Sequence, residues 1–216
     1  MRAVKRAGGY RMEHFVVTIT RQFGSLGRPI ARQMSEILGI DYYDRDIVDQ
    51  AAKKLKLPIS VVDQEEEKAV KQAVNPFSRM IFPLGKGTSN TQDKIFDTQK
   101  NIIQFLSEKN NCIIVGRCSD FILSDVKNSL HIYIYASYEA RLQHCIKDLG
   151  LEEAEARRMI KSVDEARNSY HMQYAGYLPD DKRYKDILID SSFFGVKGTA
   201  EFLAEAVPRD LFIAVH

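Results

Sequence analysis

Short β-branched and apolar runs alternate along this chain with segments whose apolar residues recur at three- and four-residue intervals. His14 to Thr20 (HFVVTIT) is the first run. Charge bounds it, and its unbroken apolar stretch suits a strand buried on both faces. A Gly/Ser turn from Arg21 to Gly27 follows. Pro29 stands where the first turn of a helix accepts proline, Ile30, Met34 and Ile37 recur at helical spacing, and Gly39 ends the helix. The same reading predicts strands at Ile40–Tyr43, Cys112–Gly116, His131–Tyr135 and Asp186–Ile189. It predicts helices over 46–55, 60–73, 91–109, 151–174 and 196–206, and another capped by Ser137 with Glu139 close behind. Asn75 to Asp93 holds two prolines, two glycines and a polar run, and is expected to be a mobile loop or small insertion. No internal repeat or low-complexity tract interrupts the alternation, which predicts an α/β domain with a parallel, doubly wound sheet.

The length, 216 residues, fits one such domain with a small lid or insertion. A chain of this size buries about 70% of its unfolded surface, enough for a core and a deep cleft without staples. Residues 1–13 are expected to be a loose tail, basic but without a secretory apolar region, and 14–216 a single domain. Met12, directly before the first strand, is an alternative start. Lys and Arg number 31 against 29 Asp and Glu, a net charge of +2, which argues against nucleic acid as a partner through bulk charge. No apolar run approaches the ~18 residues of a membrane span. Cys112, Cys118 and Cys145 form no CxxC pair and no even framework, so reduced thiols and a cytoplasmic location are expected.

The connection after the first strand carries the first candidate chemistry. Gly24, Ser25, Leu26 and Gly27 lead from a strand into a helix, where glycines let amides turn inward and the helix N-terminus adds partial positive charge. A full phosphate loop reads G-x-x-x-x-G-K-S/T. Laid without gaps, Arg21 falls on its first Gly, Gly27 on its Lys, and Arg28 and Pro29 on the hydroxyl positions. On the motif alone, a plain strand–turn–helix connection is the stronger reading. Gly85-Lys86-Gly87-Thr88-Ser89 also resembles a phosphate loop, but Met80 replaces its first glycine and a poor strand precedes it, so a flexible loop is expected there.

Cations form the second candidate set. Ile160, Val163, Tyr170 and Tyr174 make one apolar stripe on the long helix, and Arg167 lies on it. An arginine there either pairs with Asp164, snorkels, or faces a wet cleft. Arg141, Arg157, Arg158 and Lys161 are further candidates, with Arg157 and Arg158 equally a solvated face. Arg117 follows a strand, where open parallel sheets bind ligands; a surface salt bridge is its alternative. Asp44 also follows a strand, as a helix N-cap or as a metal or substrate contact. His131 is expected to pack, and adjacent His144 and Cys145 point apart, so no zinc spacing exists. Cys118 reads as a small apolar filler rather than an activated thiol.

Together, Thr20–Arg28 (TRQFGSLGR), Tyr42–Arg45 (YYDR) and Val115–Cys118 (VGRC) resemble the cytidylate kinase-like family of P-loop nucleoside monophosphate kinases, over about residues 16–206. The resemblance implies a P-loop NTPase-type three-layer fold: a five-stranded parallel sheet with helices on both faces and a helical lid. It implies ATP as donor, a nucleoside monophosphate as acceptor (CMP or dCMP favoured), and Mg²⁺. Donor phosphates would lie on Gly24, Ser25, Leu26, Gly27 and Arg28. The acceptor would lie near Asp44 and Arg117, with Asp120 taking the acidic role that the family gives to the residue after Gly-Arg. The lid would span 141–174, with Arg141 and Arg167 reaching the transferring phosphoryl group. The loop Lys and the metal-binding hydroxyl are absent; Arg28 is the expected substitute cation and Ser25 the nearest hydroxyl, and the metal ligands are not assigned. A nucleotide-binding regulator without turnover, and an interaction protein whose loop binds nothing, are the alternatives.

Overall fold

The computed structural model describes residues 14–44 and 89–207. Five strands, β1 (Val16–Arg21), β2 (Asp41–Tyr43), β3 (Cys112–Val115), β4 (Ser129–Tyr135) and β5 (Ile187–Asp190), form one parallel sheet in the order β2-β3-β1-β4-β5. The helices are α1 (Gly27–Leu38), α2 (Ser89–Lys109), α3 (Ser119–Ile122), α4 (Tyr138–Lys147), α5 (Glu153–Ala175) and α6 (Ser191–Ala206).

β1 is central because both its faces are occupied. Val17 and Ile19 pack with Ile30, Ala31 and Met34 of α1 and Ala200, Leu203 and Ala204 of α6. Val16 turns the other way, toward Phe96 and Ile103 of α2, Leu123, and Tyr170 of α5. Thr18 and Thr20 are buried on that second side and their hydroxyls are spent: Thr18 Oγ1 meets His131 Nδ1 at 2.7 Å and Thr20 Oγ1 donates to the Ile132 carbonyl at 3.2 Å. A buried hydroxyl without a partner would be costly, and these have one. A third cluster unites Phe23 of the loop with Leu142 and Cys145 of α4 and Ala156, Met159, Ile160 and Val163 of α5. Phe23 thus fastens the α4–α5 pair to the turn after β1.

Several expectations change at their edges. The expected loop extends too far: residues 89–93 are already helical in α2, because polar residues suit a helix's first turn as well as a loop, and Tyr174 Oη donates to Asp93 at 3.1 Å. α6 begins five residues before the expected start at Val196. Asp190 caps it, accepting from the Ser192 amide at 2.9 Å, and Gly195 kinks it with φ 64° and ψ −173°. The four-residue α3 is too short to leave a periodic signal. The expected helices at 46–55 and 60–73, residues 75–88 of the expected loop, and the phosphate-loop-like Gly85–Thr88 lie outside the described residues, as do the tail and 208–216. Among the described residues, no helix is long and apolar enough to cross a membrane.

Candidate functional site

The carboxyl ends of β1 and β3 lie side by side, and each is followed by residues in unusual backbone conformations. After β1, Gly24 has φ 78° and Leu26, the N-cap of α1, has φ 58°. After β3, Gly116, Arg117 and Cys118 have φ 80°, 61° and 52° in succession. A non-glycine residue in this region costs on the order of 1–3 kcal/mol and persists where the surroundings fix it. α1 starts with no capping side chain, and Pro29 brings no amide, so its first turn offers backbone N–H groups rather than a satisfied cap. A Cβ on Gly24 would stand 2.8 Å from the Arg141 carbonyl oxygen and 3.1 Å from Cys145 Sγ. Gly24→Ala is therefore expected to destabilise the protein by about 1–3 kcal/mol, read by chemical denaturation, and to loosen α4 from the loop.

The loop is tied to α4 and α5 by polar contacts. The Phe23 amide donates to Asp164 Oδ1 at 2.7 Å, and Arg141 Nη1 donates to the Phe23 carbonyl at 3.2 Å and to Asp164 Oδ2 at 2.5 Å. Arg167 Nη1 donates to the Arg21 carbonyl at 3.0 Å and stands 3.8 Å from Asp164. His144 Nδ1 donates to the Gly24 carbonyl at 2.8 Å. Arg141 and Arg167 therefore both lean on Asp164, and the pairing foreseen for Arg167 is present. On the other flank, Arg28 Nε and Nη2 both donate to Asp44 Oδ2, at 2.8 and 2.5 Å, and Tyr42 Oη donates to the same oxygen at 2.9 Å. Burial and the Asp44 charge push the Tyr42 hydroxyl up to about 12. Burial works against the Arg28 cation, but Asp44 more than offsets it and raises Arg28 above its ordinary value.

The remaining sequence candidates separate. Arg117 is buried and strained, with Nε and Nη2 meeting no partner, and it forms no ion pair among the described residues. It is not the surface salt bridge weighed as its alternative. The Ser25 hydroxyl is fully buried and directed at the Gln22 and Ile134 carbonyls at 3.0 and 3.1 Å, so it is turned into the sheet rather than toward a ligand. Among the described residues no three His, Cys, Asp or Glu side chains cluster as a metal site. With the Ser25 hydroxyl turned inward, the loop presents no hydroxyl for a Mg²⁺ ion beside the donor phosphates.

Asp120 is placed differently from its expected role at the acceptor. Its side chain is fully buried and meets Lys185 Nζ, His171 Nε2 at 3.1 Å and Tyr177 Oη at 3.3 Å. Burial raises its pKa, but His171 and Lys185 outweigh that and hold the carboxyl well below its usual range. The sequence could not show that Lys185, 65 positions away, arrives there. Cys118 is buried, and burial pushes its thiol up, as a filler requires. Arg157 lies on the solvated face and pairs with Glu153 at 2.6 Å.

Arg21, Tyr42, His144 and Asp164 were not chosen as site residues from the sequence. Arg21 carried a usable signal: a charge at the carboxyl end of a buried strand, the same signal that picked out Arg117. Tyr42 and Asp164 look like ordinary strand and helix residues until the chain folds.

A parallel sheet whose central strand turns through a glycine-bearing loop into a helix, with cations at its carboxyl edge, is the architecture of the P-loop kinase class. The sequence profile of the cytidylate kinase-like family matches residues 16–193, and the chain belongs to that family. The structure is similar to an uncharacterized protein from Eubacterium ventriosum ATCC 27560, with TM-score 0.66 and 23% identity over 90% of this chain and 98% of that one. It is similar in fold to a gluconokinase from Sinorhizobium meliloti 1021, with TM-score 0.52 and 10% identity over 95% and 100% of the two chains. A shikimate kinase from Bacteroides thetaiotaomicron gives TM-score 0.51 and 10% identity over 89% and 98%. No curated protein sequence matches the chain.

Proposed function

We propose that this protein is a cytidylate kinase-like phosphotransferase that moves the γ-phosphoryl group of ATP to a nucleoside monophosphate. The observation that carries the reading is a charge imbalance. Arg28 has Asp44, but Arg141 and Arg167 share the single carboxylate of Asp164, and Arg21 has none among the described residues. Surplus guanidinium charge beside open helix amides favours a polyanion. Donor phosphates lie on the amides of Gly24–Arg28. The acceptor lies between Asp44 and Arg117, and the segment 141–174, from within α4 through most of α5, acts as the lid. Phosphoryl transfer needs little from the protein beyond positioned positive charge, which Arg28, Arg141 and Arg167 provide once the lid closes over ligand. The family supports CMP or dCMP as acceptor. The buried free thiols support a cytoplasmic setting.

The test is ADP release from ATP in magnesium buffer against CMP, dCMP, UMP, AMP, GMP and no acceptor. Release that depends on one pyrimidine monophosphate is expected. A flat panel overturns the transferase reading. A second reading, nucleotide binding without turnover, draws on Gly27 at the lysine position and the inward Ser25 hydroxyl. It predicts the same flat panel together with a thermal shift by ATP, about 2.7 kcal/mol of stabilisation at one hundred times Kd.

A further inference from the structure

The absent loop lysine leaves a specific space, and one side chain fills it. A Cβ on Gly27, the position where a standard phosphate loop carries its Lys, would stand 2.8 Å from Arg21 Cβ and 2.9 Å from Arg21 Cγ. The stem of Arg21 therefore runs where a lysine stem would begin. Its head continues across the mouth of the sheet, since a Cβ on Gly116 would overlap Arg21 Nη1. Gly27 leaves room for the Arg21 stem, and a side chain at 116, already disfavoured by its φ of 80°, would displace the Arg21 head.

Arg21 also lacks what a structural arginine has. Its Nε is inaccessible to water and has no hydrogen-bond partner, and no ion pair forms to it among the described residues. Asp44, whose charge acts favourably on Arg21, already accepts three hydrogen bonds on one oxygen. Arg21 as a whole is partly buried, and desolvation of its head with the charges of Arg167 and Arg28 outweighs the favourable field of Tyr42 and Asp44 and lowers its pKa. A cation held in such a place without a counter-ion is costly unless an anion joins it.

We infer that Arg21 replaces the phosphate-loop lysine, its guanidinium binding the β- and γ-phosphates of the donor from the opposite end of the loop. This rests on the phosphotransferase reading, but only on its donor half. The arrangement trades a lysine on the helix for an arginine on the strand, and Gly27 is the space that the trade needs. A guanidinium can hold two phosphate oxygens in one plane, which a lysine cannot.

The test is calorimetric binding of ATP, ADP, AMP and tripolyphosphate to the full chain, beside thermal melting without ligand. Arg21→Met keeps the stem between the two glycines and removes the charge. It is expected to weaken ATP and tripolyphosphate at least tenfold and AMP by less than threefold. Its ligand-free melting temperature is expected to rise, because an unpaired charge has gone; a merely structural arginine gives the opposite sign. The double variant Arg21→Ala/Gly27→Lys is expected to recover most of the ATP affinity. Unchanged ATP affinity in Arg21→Met, or a fall in its melting temperature with equal losses for AMP and ATP, overturns the inference and leaves the transferase reading standing. Binding of ATP with the expected Arg21 dependence but no acceptor-dependent turnover supports the inference and overturns the transferase. Failure of the wild-type chain to bind ATP or tripolyphosphate overturns both.

Discussion

Asp120→Asn lowers the melting temperature of this protein by roughly 6–20 °C. Asp120 and Lys185 both have fully buried side chains, and removing one partner leaves the other charged in a dry interior. Breaking such a pair costs about 3–5 kcal/mol, and in a chain of this size each kcal/mol moves the midpoint by about 2–4 °C. His171 and Tyr177 converge on the same carboxylate, so their hydrogen bonds weaken too. The pH dependence has a definite sign. The folded carboxyl titrates below its ordinary value, so its contribution is fully present above about pH 4 and fades as pH falls toward the lowered value. The wild type therefore has a steeper acid arm below pH 4 than Asp120→Asn. Replacing both charges, as Asp120→Asn/Lys185→Met, restores much of the loss. A single variant that melts within 2 °C of wild type would show that the pair carries no net stability.

Arg28→Ala lowers turnover by about 10²–10³-fold, the usual effect of removing one positioned donor to developing charge. Arg28 is half exposed, so its pairing with Asp44 contributes at most about 1 kcal/mol to stability, and the variant remains folded. Arg28→Lys keeps a charge but cannot place two donors on one oxygen, and a smaller loss is expected. Asp44 raises Arg28 above an already high value, so the loss is the same at pH 6 and pH 9. Turnover unchanged in Arg28→Ala, measured as acceptor-dependent ADP release, removes Arg28 from the transferring machinery. Because Arg21→Met acts on donor binding and Arg28→Ala on turnover, the two cations are separable in one set of titrations.

Much of the scaffold was legible before folding. Ile30, Met34 and Gly39 marked α1, and Gly39 does close it in the left-handed conformation. Ser137 marked α4 and accepts from the Ala140 amide. These signals survive because they are local: a period, a cap, a glycine with positive φ. Arg117 was legible for a related reason, since a charge directly after a buried strand can only emerge at the sheet's carboxyl edge. The buried partners of Asp120 were not legible, because they come from α5, the turn after it and the approach to β5, and no local pattern announces a meeting of Lys185 with His171. Asp164 was seen only as a partner for Arg167. Its larger part, holding the Phe23 amide and Arg141, depends on α5 docking through Phe23.

The sequence by itself determined the five strands, the longer helices among the described residues apart from their exact ends, the turn that joins β1 to α1, and the absence of a lysine at position 27. Each follows from residues within a few positions of one another, where propensity and spacing act directly. Only the tertiary structure decided which cation stands in that place. Gly27 reads as a loss until the strand end, the helix start and the β3 turn come together, and then Arg21 is found lying through the space between two glycines. Packing and charge act through distance in space, and a single sequence holds no measure of that distance.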